Sequence, residues 1–410
     1  MRRTATGTRP ATELLTTIAA FGAALFGAAE TARADLDSCV ARLRAEAIRS
    51  GVSRSVANAA LGKVSFDERA VRFSRTQPES ITPIWDYMAF LVDKERLVDG
   101  AAMMRRHGQT LARVERAYGV DRHVILALWG IESDFGRKVG DFFVPHAMAN
   151  VICARRNPKF FRRELIHLLK IVSRGDVKLG DLQGSWAGAF GQTQFMPSTY
   201  TRLAVDFDRD GRRDLVNSVP DALASAANFL RRSGWRKGLA WGWEVRAPRG
   251  FRGRYATRKL NRVRFRPLDD WGKRGFTDFK GRPVRGRVPA ALVMPAGPRG
   301  PAFLVTRNFR AIYSYNVAVS YALAISHLSD RLRGGKRFRV GWPTNDPGLS
   351  RRQRLELQKL LLRAGYDIGK ADGRIGPITV AAIKSAQKRH GMKPDGRPSM
   401  RLYKALGGGS

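Results

Sequence analysis

Cysteine is nearly absent. Cys39 and Cys153 are the only two in 410 residues, so the chain can close at most one internal disulfide. Acidic residues are also scarce: 35 Asp and Glu face 74 Lys and Arg, a formal net charge of +39. A charge of that size draws a protein towards polyanions such as cell wall, anionic lipid headgroups or nucleic acid. No recognisable nucleic-acid-binding motif accompanies it, so specific nucleic-acid recognition is not expected. The Arg-rich stretch 246–287 carries much of the excess and is alternatively a solvated face adapted to a negatively charged envelope. The apolar, Ala-rich stretch from Leu14 to Ala29 is short for a membrane span. It follows Arg2, Arg3 and Arg9 and precedes Ala32-Arg33-Ala34. That order reads as a secretory signal peptide over residues 1–34, with the mature chain starting at Asp35. An uncleaved anchor is the alternative. Export to an oxidising compartment permits a Cys39–Cys153 disulfide, and two buried free thiols are the other reading.

The most informative segment runs from Asp121 to Gly136. Asp121 is a good helix N-cap and Gly136 a good terminator, so a helix is expected between them. Ile125, Leu128, Trp129 and Glu132 recur at helical spacing and share one face. Glu132 therefore ends an apolar stripe, where a carboxylate is costly without a partner or a task. Desolvation there favours the protonated form that a general acid needs. A plain ion pair with one of the many arginines is the structural alternative. Asp134 is offset to a different face, and no second carboxylate is evident in the Gly-rich motif of 184–200. Gly184–Tyr200 is dense in glycine and small residues, which let a polymer approach the backbone. Within it Ser185, Gln192 and Gln194 offer hydrogen bonds to hydroxyl and acetamido groups.

Asp206-Phe207-Asp208-Arg209-Asp210-Gly211-Arg212-Arg213-Asp214 follows the opening of an EF-hand loop. Asp206, Asp208, Asp210 and Asp214 supply carboxylates, and Arg212 its backbone carbonyl. Asn217 replaces the usual bidentate Glu, although Asp221 is close in sequence. The reading is either a weak structural calcium site or an Asp/Gly turn neutralised by Arg209, Arg212 and Arg213.

Residues 35–240 read as mostly helical, and 241–305 as a small β-containing excursion. Helix returns at Val317–Ile325, where the chain packs into the core. Residues 331–349, with Gly334-Gly335, Pro343 and Pro347, read as a linker. Beyond it lie an amphipathic helix ending at Gly365, a turn at Asp372-Gly373, a helix over Val380–His390, a turn at Asp395-Gly396 and a short helix at Ser399–Leu406.

Several ordered motifs carry a family resemblance. They are Glu132–Gly136, Gly184–Gly191, Gln194–Ser198, Arg75–Glu79, Asn228-Phe229-Leu230 and Asn308–Asn316. Together they resemble the lytic murein transglycosylase B family over residues 35–330. Leu357-Gln358, Gly365-Tyr366, Asp372-Gly373, Gly376–Thr379 and Ala386-Gln387 resemble the peptidoglycan-binding-like domain over 350–406. The resemblance implies a mainly α (α+β) protein: a lysozyme-like catalytic domain with a small β-containing excursion, then a three-helix module. It implies lytic transglycosylation of peptidoglycan with Glu132 as single general acid/base, and no cofactor for catalysis. Ser185, Gln194, Tyr315, Asn316, Arg155 and Arg156 become candidate substrate contacts. A monomeric, periplasmic enzyme is expected, touching stem peptides through its C-terminal domain. A hydrolytic muramidase and a non-catalytic wall-binding protein are the alternatives.

Overall fold

The structure is a computed structural model. It describes residues 35–75, 82–155, 159–260 and 263–409, so the leader assigned to 1–34, Arg156 and most of the Arg75–Glu79 motif lie outside the described residues. Helices follow in the order α1 (35–49), α2 (Arg54–Leu61), α3 (Glu68–Arg75), α4 (Ile84–Leu91), α5 (Lys94–Tyr118) and α6 (Arg122–Ser133). Then come α7 (Val144–Cys153), α8 (Lys159–Ser173), α9 (Pro197–Leu203), α10 (Val219–Arg232), α11 (Leu268–Lys273), α12 (Arg307–Tyr313) and α13 (Val319–Leu332). The last three are α14 (Arg351–Arg363), α15 (Pro377–Arg389) and α16 (Met400–Ala405). The short strands are β1 (Phe142–Phe143), β2 (Gln183–Gly184), β3 (Gly242–Val245), β4 (Arg266–Pro267), β5 (Pro289–Val293) and β6 (Ala302–Val305). The protein is thus mainly helical with small sheets.

The chain forms two compact units that interleave in sequence. The first gathers the described residues up to 75, Asp141–Ala189 and Met196–Ser198. Its helices α2, α3, α7 and α8 pack on one another, and β1 pairs with β2 so that Phe142 faces Gly184. Leu43, Ala57, Leu61, Val151, Leu165 and Leu168 are among its buried residues. Asn150 is buried on α7, and each polar end of its amide is used. Its Oδ1 accepts from Asp67 N, while its Nδ2 donates to the Ser65 and His146 carbonyls. Cys39 on α1 and Cys153 at the end of α7 are joined in a disulfide, with their Cα atoms 6.0 Å apart.

The second unit gathers the described residues of Gln77–Gly140, Phe190–Phe195 and Thr199–Ser410. Its core is built around α6, against which α5, α10 and α13 pack. The sequence suggested one apolar face for α6. Instead every residue from Val124 to Gly130 is buried, because neighbouring helices cover it on several sides. The β excursion is an antiparallel sheet of order β3-β6-β5-β4, with Leu304 of β6 between Trp243 and Leu292.

The segment read as a linker is laid against this unit. The backbone N–H groups of Arg339 and Val340 donate to the Glu244 carboxylate at 2.8 Å, and Phe338 stacks on His327 at 3.8 Å. Burial of His327, with Arg331 and Arg337 adding to it, pushes its pKa down to about 3. An unfolded histidine takes up its proton near pH 6.5. Between those values the unfolded chain binds the extra proton, so stability is present above about pH 6.5 and lost as pH falls towards 3. The loss reaches up to about 1.4 kcal/mol per pH unit. Thermal unfolding of the wild type should therefore fall more steeply over that window than that of His327→Phe. Parallel curves would rule out this role.

In the C-terminal module, Ser350 and Gln353 form a reciprocal capping box at the start of α14. Two buried glutamines then each hold an Asp-Gly turn. Gln358 Oε1 accepts from Asp372 N and Gly373 N, and its Nε2 donates to the Arg374 carbonyl at 2.9 Å. Gln387 Oε1 accepts from Gly396 N while its Nε2 donates to Asp395. Leu357, Leu361, Ile383, Ala386 and Leu402 close the small core between the helices.

Candidate active site

Asp121 caps α6 by accepting from His123 N at 2.8 Å. The other end departs from the sequence expectation, because the helix stops at Ser133 rather than at Gly136. Asp134 and Phe135 both turn left-handed, with φ of 53° and 61°. Left-handed backbone costs a non-glycine residue roughly 1–2 kcal/mol, so packing must hold it. Phe135 folds back beneath Gly130, where an added Cβ would sit 2.6 Å from its ring. The same ring meets Trp129 edge-on at 5.6 Å.

Glu132 stands half-buried on the last turn of α6. Its Oε1 accepts a hydrogen bond from the Tyr321 hydroxyl, carried by α13, which packs against α6. Tyr315 lies alongside, nearly parallel to Tyr321 with ring centroids 6.4 Å apart. Its own hydroxyl donates to the Thr193 carbonyl at 2.7 Å, and its ring packs on Phe229 and Phe195. Burial first, and the Glu132 charge second, push both phenols well above their usual range. Both therefore remain neutral, as a proton donor beside a carboxyl group must.

Tyr321 was not legible as a site residue, since it sits in an apolar helical run that reads as core. The available signal was chemical: a buried tyrosine hydroxyl needs a partner. Gln192 also differs from its expected role as a saccharide contact. Its amide is buried, accepts from Trp129 Nε1 at 3.0 Å and donates to the Val216 carbonyl at 3.0 Å. Its own carbonyl accepts from Ser133 Oγ at 2.5 Å. Gln192 thus fastens the Gly-rich turn to α6 next to Glu132. Gly191 allows this approach, because a Cβ there would lie 2.7 Å from the Leu215 carbonyl oxygen.

The other candidates are placed as follows. Gln194 is half-buried, and its Nε2 donates to the carbonyls of Val139 and Gly191, leaving its Oε1 as the group suited to a sugar. Asn316 follows Tyr315 and is partly exposed. Ser185 belongs to the first unit, where its Oγ accepts from Ala189 N at 3.0 Å and closes its own turn. Arg155 is exposed in the same unit; it donates to the Ser74 carbonyl and lies over the Phe161 ring at 5.2 Å.

In the acidic loop, ligand oxygens of Asp206, Asp208, Asp210 and Asp221 all lie within 4.8 Å of one another. Oxygens 2.3–2.6 Å from one calcium ion would span such distances, so these four carboxylates fit the ion. Asp214 does not join them. Its Oδ1 accepts from Val216 N and Asn217 N, and so caps the end of the loop. Arg212 meets Asp210 through its backbone N–H at 2.9 Å. Burial, with the charge of Asp208 contributing, pushes the Asp221 pKa up to about 6.

A family model for the transglycosylase SLT domain matches residues 35–330, and one for a putative peptidoglycan binding domain matches 350–406. Membrane-bound lytic murein transglycosylase B of Escherichia coli (strain K12) is 28% identical over 271 residues, covering 64% of this chain and 71% of that protein. The crystal structure of SltB3 from Pseudomonas aeruginosa in complex with NAG-anhNAM-pentapeptide superposes with a TM-score of 0.72. It is 40% identical and covers 90% of this chain and 99% of that one. Escherichia coli lytic transglycosylase Slt35, solved in complex with calcium, superposes with a TM-score of 0.62 at 24% identity, a likeness of fold; 72% of this chain and 92% of that one are covered.

Proposed function

The chain belongs to the SLT transglycosylase family, it is a lytic murein transglycosylase with a peptidoglycan-binding domain, and from that premise we propose that Glu132 is its single general acid/base. The observation that carries this reading is the hydrogen bond from Tyr321 to Glu132 on a helix whose end is fixed by Gln192 and Ser133. Glycosidases usually flank the scissile bond with two carboxyl groups. Here one carboxyl group serves both steps because the sugar supplies its own nucleophile. Protonated Glu132 gives its proton to the oxygen linking C1 of N-acetylmuramic acid to C4 of N-acetylglucosamine. The C1–O bond breaks and positive charge develops at C1, where the substrate's N-acetyl group assists. The Glu132 carboxylate then takes the proton of the muramic 6-hydroxyl as O6 closes on C1. The product is a 1,6-anhydro sugar, and water is not consumed. Tyr321 orients the carboxylate by donating to it.

Tyr315, Asn316 and the Gln194 carbonyl oxygen are proposed to meet the saccharide, with Ser185 and Arg155 as further contacts. The C-terminal domain is proposed to reach stem peptides, and the enzyme to work as a periplasmic monomer after loss of residues 1–34. N-terminal sequencing of exported protein should begin at Asp35. Product chemistry tests the mechanism directly. Mass spectrometry of sacculi digests should show anhydromuropeptides, whereas reducing-end muropeptides would indicate hydrolysis. Tyr321→Phe should lower kcat by roughly tenfold with little change in KM, since it removes a carboxylate-orienting hydrogen bond. An unchanged kcat would remove Tyr321 from the mechanism.

A structural calcium ion is proposed at Asp206, Asp208, Asp210 and Asp221, with no part in any bond-making step. Calorimetric titration should show binding by millimolar calcium, and Asp208→Asn should weaken it. Absence of heat and of any Tm shift at that concentration would dispose of the site.

A further inference from the structure

The C-terminal module does more than hang from a tether. Arg351, the first residue of α14, inserts its guanidinium among three carboxylates of the catalytic body, and its side chain is only 14% exposed. Its Nε donates to Asp93 Oδ2 at 2.9 Å, and Nη2 lies 3.6 Å from Asp99. Its Nη1 bonds Asp134. Asp93 is the N-cap of α5 and is almost fully buried. Asp134 is the left-handed residue that ends α6, directly after Glu132 and Ser133. Arg96 completes the cluster: its Nε donates to the Gly130 carbonyl of α6, and its Nη1 to the carbonyls of Phe90 and Leu91. One arginine of the wall-binding module thus grips both the start of α5 and the end of the helix that carries Glu132.

We propose that Arg351 is a positioning residue for the lytic reaction: through Asp134 it holds the terminus of the Glu132 helix, so alignment of the acid/base depends on this one contact from the C-terminal module. The inference rests on Glu132 as the acid/base. Asp134 and Phe135 sit in backbone conformations that neighbours must hold. Without Arg351, a largely buried Asp134 keeps Arg137 alone among the described ion pairs, at 3.2 Å. Asp93 loses the guanidinium beside it and keeps only the backbone N–H groups of Arg96 and Arg351 among its described hydrogen bonds. The last turn of α6 then samples more orientations, and Glu132 meets the glycosidic oxygen less often in a productive geometry.

A second arginine provides the control. Arg397, in the same module, bonds Asp86 of α4 through Nε at 2.5 Å and Nη2 at 2.7 Å. Its Nη1 reaches Asp346 at 2.8 Å. This anchor docks the module without touching α6. The test is steady-state kinetics of the full chain on a short soluble muropeptide oligomer, with unfolding curves for each variant. Arg351→Met should lower kcat about tenfold with KM changed less than twofold, and Arg351→Lys should lower it about threefold. Asp134→Asn should match Arg351→Met, and combining the two should add little further loss. Arg397→Met should lower Tm comparably yet leave kcat within twofold of wild type. Wild-type kcat in folded Arg351→Met, or in Arg351→Lys should the first variant fail to fold, overturns the inference. An equal kcat loss in Arg397→Met overturns it too, by showing a general effect of docking. Glu132→Gln, run in parallel, separates the two layers: if it retains activity, the acid/base assignment itself has failed.

Discussion

Glu132→Gln should reduce release of anhydromuropeptides from purified sacculi by about a thousandfold, the middle of the range for loss of a general acid/base. Glutamine keeps the shape of the side chain and an oxygen that can accept from Tyr321, so the packing of α6 against α13 is preserved. What disappears is the proton. Neither protonation of the leaving oxygen nor deprotonation of the 6-hydroxyl can then proceed through this residue. Because one group serves both steps, no partial reaction is expected to accumulate. Binding of the variant to sacculi should equal that of the wild type in a pull-down, since the module of residues 350–406 is untouched. Activity within tenfold of wild type would mean that another group carries the proton, and a second carboxylate would then have to be sought.

Removal of the disulfide has the second largest expected effect. Cys39 and Cys153 are separated by 114 residues, and closing a loop of that length restricts the unfolded chain strongly. Losing a native disulfide typically costs about 2–5 kcal/mol, which for a chain of this size lowers Tm by roughly 2–6 °C. Cys39→Ser, Cys153→Ser and the double variant should unfold at similar temperatures, because all three lose the same cross-link. Wild type in reductant should join them. Coincident unfolding of oxidised and reduced wild type would show that the bond adds nothing to stability. The loss should fall on α1 and α7, which the bond joins, so hydrogen exchange in those helices is expected to rise first.

The readable parts of the sequence were those fixed by local chemistry. Asp121 as a cap, the excursion into strands, the turns at Asp372-Gly373 and Asp395-Gly396 and the three C-terminal helices all follow from short-range signals, and the structure contains each. Glu132 was marked by its place at the end of an apolar stripe. The rest depended on partners distant in the chain. Nothing near Tyr321 in sequence says that its hydroxyl meets a residue 189 positions away. Gln192 looked like a polar loop residue, but its partners Trp129 and Val216 come from other elements. The helix was expected to reach Gly136, since glycine is the usual terminator. Burial of the Phe135 ring under Gly130 ends it sooner. Asp214 looked equivalent to the other loop aspartates until the fold brought Asp221 into the cluster and turned Asp214 to its own loop. The segment 331–349 has the composition of a free linker, yet Glu244 and His327 hold it against the body.

The interleaving of the two units constrains how the catalytic region can be dissected. Residues of the first unit come from before 76, from Asp141–Ala189 and from Met196–Ser198, with the Glu132 helix lying in the sequence between them. No single cut yields a contiguous fragment containing all of one unit and none of the other. Serial truncation from either end should therefore abolish folding and activity together, well before it reaches a residue that touches substrate. An experimenter who located the active site by deletion would place it almost anywhere, and point substitutions are the informative tool for this chain.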